Sequence, residues 1–457
     1  MRFKSWLVMA VKLTRNPYLI FLPFFVLYTV VIVINKWPTL YGDEIRYANF
    51  AWHLLHGYYS PPKPHIDLWN GPGYPLTIVP FMWLKIHSLT ITLMNAAYLY
   101  FALVFLYKAL KLVANHKMAL LFTLPLAIYP NALSILPIMY TEAFTCLLVS
   151  AFVYSLTLCY TRGSIKYGII ASLVLGYLTL TKIIFGYVLL IGLITCLVLL
   201  CFKKNRPYHL ISVKILLIAF AVTMPYLCYT YHMTGKIFYW GNSGGMSLYW
   251  MSSPYDNEYG DWKLPELSNN QYPLLFKSPE GAAMLKKNHS KEVKFILDHE
   301  EVEQDALFKQ AAIRNIENHP FKFIVNYYHN CSRMLFNFPY SYSYQDGAIV
   351  GNIIRGSLLL WASLIGIVVT LLNWKRVIYP VKFLLLLTGI YLGLSGALSA
   401  YPRQLDVIVP VLLFWLGTIT YHLKRPSIRF AEDDIAEEVN LSDLNGVGIS
   451  EAEKTTV

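Results

Sequence analysis

The sequence predicts an all-α polytopic membrane protein of about ten transmembrane helices, and three observations lead there. Of 457 residues, 56% are apolar and only 14% charged, against about 25% charged in ordinary soluble domains. The mean hydropathy of +0.45 comes from continuous apolar runs of roughly 20 residues, the length a helix needs to cross a hydrocarbon core of about 30 Å. Strands of an outer-membrane barrel would alternate instead. Finally, Lys and Arg gather at the ends of these runs, as they do in cytoplasmic loops. A soluble enzyme, a disulfide-framed secreted domain and a disordered chain are thereby excluded.

Taken in order, the expected spans are 17–35, 90–112, 118–136, 138–160, 167–181, 183–202, 209–230, 352–373, 377–399 and 406–423. Arg2, Lys4, Lys12 and Arg15 precede the first without a small-residue cleavage signal, so it reads as an uncleaved span with a cytoplasmic start. Alternation then puts five basic clusters in the cytoplasm: Lys108/Lys111/Lys117, Arg162/Lys166, Lys203/Lys204/Arg206, Lys375/Arg376 and Lys424/Arg425/Arg429. Two spans are weak, since 118–136 contains Pro125 and Pro130 and 167–181 is short, and a re-entrant pair is the alternative there.

Four units follow. Residues 1–230 form an N-terminal transmembrane module whose first exoplasmic loop, 36–89, is the candidate catalytic loop. Residues 231–350 are an exoplasmic segment holding 13 acids, with a helical pattern near 280–318 that suggests a small subdomain and an amphipathic interfacial helix at 320–338. Residues 351–425 return to the membrane. The acidic tail, 426–457, reads as cytoplasmic and disordered. Ahead of the last 27 residues the body carries 37 bases against 18 acids; anionic lipid headgroups account for that excess, and nucleic acid is not expected. The six cysteines make neither a disulfide framework nor a metal-ligand spacing.

The first 230 residues contain only four acids: Asp43, Glu44, Asp67 and Glu142. Asp43 and Glu44 open a helix predicted to reach Gly57, with Asp43, Arg46, Asn49, His53 and His56 on one stripe facing water. Their plain structural role is to complement a helix dipole, worth about 0.3–1 kcal/mol. Their functional role is a carboxylate at the mouth of a bilayer cavity, acting as general base or holding a cation. Glu142 lies one turn inside an apolar run, where a charge costs about 2.5–3.5 kcal/mol unless it meets a partner or a wet cavity. Lys182 interrupts an apolar stretch on the side where lysine is disfavoured, so it calls for an anion. Arg403 offers a planar fork suited to phosphate, its plain alternative being an ion pair with Asp406. His53, His56, His65 and Asp67 could ligate a metal, but His53 and His56, three apart on a surface helix, lack a strong spacing signature and the histidines read instead as solvated interfacial groups; the Gly71/Gly73 and Gly241/Gly244/Gly245 stretches read as turns.

Taken together, several short motifs resemble the membrane glycosyltransferases of the GT-C fold. They are Asp43-Glu44 after the first span, Asn70-Gly71-Pro72-Gly73-Tyr74-Pro75-Leu76, Tyr140-Thr141-Glu142, Thr181-Lys182, Thr234-Gly235-Lys236 leading to Gly244-Gly245, the helix from His319-Pro320 to Phe338-Pro339-Tyr340-Ser341, and Tyr401-Pro402-Arg403. More narrowly, the chain looks like the bacterial relatives of protein O-mannosyltransferases and lipid A aminoarabinose transferases, over about residues 15–425. The resemblance implies a multi-pass enzyme of the bacterial inner membrane, both termini cytoplasmic. It would move a hexose or pentose, with inversion, from a polyprenyl-phosphate donor to a lipid, glycan or protein acceptor on the exoplasmic side. It implies Asp43 as base, Glu44 in support and Glu142 as the second acid, with Lys182, Arg403 and Arg46 around the donor phosphate. No cofactor is required; some relatives use a divalent metal, and nothing in these residues demands one. Two competing readings use the same rare charges: a lipid-linked sugar flippase or transporter, which favours charges near the bilayer midplane, and a polysaccharide polymerase or ligase.

Overall fold

The computed structural model describes residues 16–202, 205–265, 279–343 and 349–423. The acidic tail and the basic residues Arg2, Lys4, Lys12, Arg15, Lys203, Lys204, Lys424, Arg425 and Arg429 lie outside the described residues. The described chain is all α, with nineteen helices and no strand. Six stretches are long and apolar enough to cross a membrane, and three shorter apolar helices join them, so the chain is a multi-pass membrane protein.

The first crossing is α1 (Pro17–Ile20) and α2 (Leu22–Asn35), which meet at Phe21. The next elements, α3 (Asp43–Leu55) and α4 (Gly73–Trp83), belong to the first loop. Then come α5 (Ser88–Val113), α6 (His116–Ala127), α7 (Pro130–Ile135) and α8 (Glu142–Arg162). Asn95, early in α5, donates to the carbonyls of Leu136 and Ile138 just before α8, and Phe105 stacks on Tyr154 further along both helices. These two contacts make α5 and α8 parallel, so the chain between them must return across. It does so as α6 and α7, broken at Tyr129–Pro130 because proline at the start of α7 supplies no N–H to continue α6. Helix α9 (Ile165–Thr181) runs back along α8, with Gly168 beside Cys159 and Tyr177 beside Phe144. Its 17 residues span about 25 Å at 1.5 Å per residue. Both weak spans therefore return alongside their neighbours in the bundle.

After α10 (Phe185–Leu200) and α11 (Arg206–Thr234) the chain leaves the bundle. Helices α12 (Gly244–Met251), α13 (Pro279–Leu297) and α14 (Glu301–Asn318) share a separate apolar core around Tyr249, Trp250, Leu285, Ile296 and Phe308. Beneath that core lies a buried polar knot. Glu258 accepts from His289 Nε2 (2.7 Å), Ser253 Oγ (2.5 Å), Asn288 Nδ2 (2.9 Å) and Tyr342 Oη (2.7 Å). Burial pushes the Glu258 carboxyl up, but His289, Ser253 and Asn288 more than offset it, leaving it below its ordinary 4.5. A group depressed on folding stabilises fully above its unfolded value and ceases to as pH falls through its folded one. Acidification below about pH 4.5 is therefore expected to loosen this subdomain. Glu258→Gln should lower stability at pH 7 and flatten that acid limb, read by tryptophan fluorescence and limited proteolysis from pH 7 to pH 3.

Helix α15 (Pro320–Phe336) turns two opposite faces outward and inward. Phe321, Ile324, Val325 and Tyr328 are exposed, as expected of a helix lying in a membrane interface. Its polar stripe, Asn326, Asn330 and Arg333, is completely buried. Asn330 Nδ2 donates to the carbonyls of Ser395, Gly396 and Leu398, and Arg333 to those of Ala400, Tyr259 and Pro339. The last helices are α16 (Ile349–Leu372), α17 (Tyr379–Gly396), the short α18 (Pro402–Asp406) and α19 (Val409–Leu423). The stripe of α15 thus fixes the link between α17 and α18, which carries Arg403. At the opposite end, Tyr160 bonds Ser212 and its ring packs at a tilt against Tyr208 and Tyr379, which gathers the C-terminus of α8 and the N-termini of α11 and α17. Arg162, Lys166, Arg206, Lys375 and Arg376 fall at that end.

Candidate functional site

Gly42, at φ +60°, turns the chain sharply after the first span. A Cβ there would come within 3.2 Å of Tyr140 Oη. Helix α3 begins at the next residue with Asp43 and Glu44 in its first turn, the favourable end for a negative charge. The two carboxylates diverge. Asp43, about a quarter exposed, accepts from Arg46 Nη1 through Oδ1 (3.1 Å) and from Arg403 Nη1 through Oδ2 (3.0 Å). Glu44 is buried and accepts from Lys36 Nζ (2.5 Å), Tyr41 N–H (3.1 Å) and Met139 N–H (2.7 Å). Glu44 therefore ties the first loop to the turn that leads into α8 and so locates Glu142.

Glu142 opens α8 and pairs with Lys182 Nζ at 3.1 Å. Lys182 sits where α9 ends in extended backbone, and glycine explains how the first loop reaches it. A Cβ on Gly71 would lie 2.1 Å from the Leu180 carbonyl oxygen, and one on Gly73 2.4 Å from Thr181 Oγ1. Tyr177 Oη also donates to the Gly73 carbonyl (2.9 Å). Backbone packs directly on backbone here, so these glycines do more than turn the chain. Gly71→Ala is expected to destabilise the protein by about 1–3 kcal/mol, the usual cost of overpacking, read as a lower thermal midpoint in detergent; unchanged stability would mean the loop does not rest on α9.

Arg403, in α18, stands beside the Tyr140 ring, 5.8 Å from its centroid. Burial disfavours its cation, but the charges of Glu142 and Asp43 more than compensate and raise its affinity for the proton above the ordinary value. Its partner is Asp43 and not Asp406, the ion pair its sequence neighbourhood offers. Asp406 instead accepts from Tyr129 Oη (2.8 Å) and Asn131 Nδ2 (3.1 Å). Asp406, Asn95 and Glu142 share the wall of a cavity of about 20 Å³, room for one water.

The structure thus brings Asp43, Arg46, Glu142, Lys182 and Arg403 together at one end of the bundle, and sets Glu44 behind them. A cleft of about 440 Å³ lies on the Glu44 side, lined by Val31, Lys36, Trp37, Tyr41 and Ile138 but not by Asp43, Lys182 or Arg403. Lys36 escapes sequence reasoning because a lysine next to a tryptophan at a span end looks like an ordinary interfacial anchor. His53 and His56 bond the carbonyls of Tyr59 and Trp52 through Nδ1. Among the described residues no three His, Cys, Asp or Glu side chains come together as metal ligands. Asp43 and Glu142 each hold a cationic side chain instead.

Fold and site together define an all-α multi-pass membrane protein with an ion-paired cluster at one end of its helices. No family model matches the chain, and no curated protein sequence does. Among solved structures it is similar to the archaeal oligosaccharyltransferase AglB from Archaeoglobus fulgidus, solved with an inhibitory peptide and a dolichol-phosphate. The two are 14% identical with a TM-score of 0.46, covering 93% of this chain and 54% of that one. The apo form of the Archaeoglobus fulgidus oligosaccharyltransferase gives 14% identity and a TM-score of 0.48 over 94% and 53%. ArnT from Cupriavidus metallidurans bound to undecaprenyl phosphate gives 13% and 0.39 over 96% and 80%. The chain spans about half the length of the oligosaccharyltransferase chains.

Proposed function

We propose that the chain is a glycosyltransferase of the bacterial inner membrane, both termini cytoplasmic, that moves a sugar from a polyprenyl-phosphate donor to an acceptor hydroxyl or amine at the exoplasmic face. One observation carries this reading: four segments far apart in sequence deliver two carboxylates and three cations to one bundle end, paired as Arg46–Asp43–Arg403 and Glu142–Lys182. The basic loops at the other end support the sidedness. Charges at helix ends suit a lipid headgroup better than the midplane site of a transporter.

The pairing suggests how the chemistry runs. Carboxylates hold Arg403 and Lys182 in place while no donor is bound. A donor phosphate, with more charge and more acceptor oxygens, competes for both cations. That competition frees Asp43 Oδ2 to take the acceptor proton as the nucleophile attacks the sugar C1 from the face opposite the phosphate. The C1–O bond breaks with inversion, and the departing lipid phosphate keeps the electron pair beside Arg403 and Lys182. Arg46 keeps Asp43 oriented, and Glu44 braces the loop.

The test is binding of undecaprenyl phosphate to the protein in lipid nanodiscs. Arg403→Gln combined with Lys182→Gln is expected to weaken it at least tenfold, with the two single variants intermediate. Equal binding by wild type and the double variant would remove the phosphate from this site and the reading with it.

A further inference from the structure

Beyond the phosphate end, the first loop and the segment after α12 bring together Asp67, Trp69 and Trp262, which the reaction above does not use. Arg46, already bonded to Asp43, lays its guanidinium over Trp69, with Cζ 5.0 Å from the ring centroid. Trp69 and Trp262 stand almost at right angles, 79° between planes and 6.5 Å between centroids, so the two indoles make a corner. Both are only partly buried. Asp67 completes the group: Oδ1 accepts from the Trp69 N–H (3.0 Å), and Oδ2 has no hydrogen-bond partner among the described residues. Its charge interacts with that of Arg46.

The backbone around this corner is held more firmly than an incidental loop requires. Asn242 clasps the strand-like segment before Trp69, accepting from Leu68 N–H (3.2 Å) and donating to the carbonyls of Leu68 (3.3 Å) and Ile66 (2.9 Å). Ser243 Oγ donates to the Trp69 carbonyl (3.2 Å), Tyr59 Oη to that of Asn70 (2.7 Å), and Ser60 Oγ accepts from Asp67 N–H (2.9 Å). Gly241 permits this approach, because a Cβ there would sit 2.5 Å from the Leu68 carbonyl oxygen. On the other wall, Tyr401 Oη donates to the Trp262 carbonyl (3.2 Å), two residues from Arg403.

A rigid, partly buried pair of indoles beside a carboxylate has a definite chemical complement. A sugar ring presents an apolar face of C–H bonds, which suits the negative face of an indole, and a rim of hydroxyl donors, which suits a carboxylate with acceptor capacity to spare. A lipid tail would leave Asp67 unsatisfied, and a phosphate would be repelled by it. We propose that Asp67, Trp69 and Trp262 form a subsite for a pyranose-type sugar ring, joined to Asp43 through Arg46. This rests on the proposed function, whose donor supplies one such ring and whose glycan acceptor would supply another.

The full chain in nanodiscs is titrated with undecaprenyl phosphate and with undecaprenyl-phosphate mannose, glucose and galactose. The wild type is expected to bind at least one glycosylated lipid at least tenfold more tightly than the bare one. Trp69→Leu and Asp67→Asn should erase that increment and leave bare-lipid binding unchanged, and Trp69→Phe, which keeps a ring face, should retain part of it. If the increment survives, protein saturated with undecaprenyl phosphate is titrated with the methyl glycosides of the same hexoses. Loss of their binding in the variants assigns the corner to the acceptor's sugar and upholds the subsite. A wild type that shows neither increment nor glycoside binding overturns it, as do variants that alter neither. Failure of bare undecaprenyl phosphate to bind the wild type counts instead against the phosphate site of the proposed function.

Discussion

Asp43→Asn is expected to lower sugar transfer by about 10²–10⁴-fold, the range spanned by loss of a positioned general base, while the bundle stays folded. The substitution preserves size and leaves one oxygen to accept from either Arg46 or Arg403, but no longer from both with charge assistance. Asp43 is about a quarter exposed, and ion pairs in such positions contribute about 0–1 kcal/mol, so the thermal midpoint should barely move. Transfer from a lipid-phosphate sugar in proteoliposomes and thermal stability in detergent, measured on the same preparations, separate the two effects. Glu44→Gln is the contrasting control. Glu44 serves Lys36 and two backbone N–H groups, so its loss should appear as instability. If Asp43→Asn kept more than a third of wild-type transfer, another group would have to take the proton.

Scarcity is what made this cluster legible. Asp43 and Glu142 stand out because an acid in or beside an apolar run has few cheap places to go, and Lys182 and Arg403 because they lie on the side of the membrane where bases are disfavoured. Pairings were not legible. Arg403 has Asp406 three residues away, yet it reaches Asp43 across the sequence, because α18 presents the arginine to α3 while Asp406 turns to Tyr129 and Asn131. The span boundaries followed from hydropathy, but the break at Pro130 needed the parallel course of α5 and α8 to show that the broken segment still returns. Gly71, Gly73 and Gly241 looked like turn residues since nothing local in a sequence reports which distant backbone a missing Cβ makes room for.

Arg333 marks the limit of periodicity as a guide. Its helix is amphipathic, and the pattern alone would send the polar stripe to water; instead the apolar side is the exposed one and Arg333 is completely buried. Its Nε and Nη1 donate to the carbonyls of Ala400 (2.9 Å), Tyr259 (3.2 Å) and Pro339 (2.7 Å), and Nη2 to Asn330 Oδ1 (2.6 Å). Those acceptors belong to the subdomain linker, the end of α15 and the link into α18, so a single guanidinium joins three segments next to Arg403. Arg333→Leu keeps apolar volume but strands the carbonyls of Ala400, Tyr259 and Pro339 at about 1–3 kcal/mol each before relaxation, and leaves Asn330 Oδ1 with the Ala400 N–H alone. The net loss should be roughly 3–5 kcal/mol, as for breaking other buried charged networks. Arg333→Lys should recover little, since an ammonium has three donors and cannot reproduce the planar fork. Thermal unfolding in detergent measures the loss, and undecaprenyl phosphate titration of the surviving folded fraction measures its consequence. Because the variant frees the link into α18, the helix that carries Arg403, lipid-phosphate affinity should fall even though Arg333 touches neither Asp43 nor Arg403. Retention of full affinity together with a large drop in stability would show that Arg403 is positioned by α18 alone.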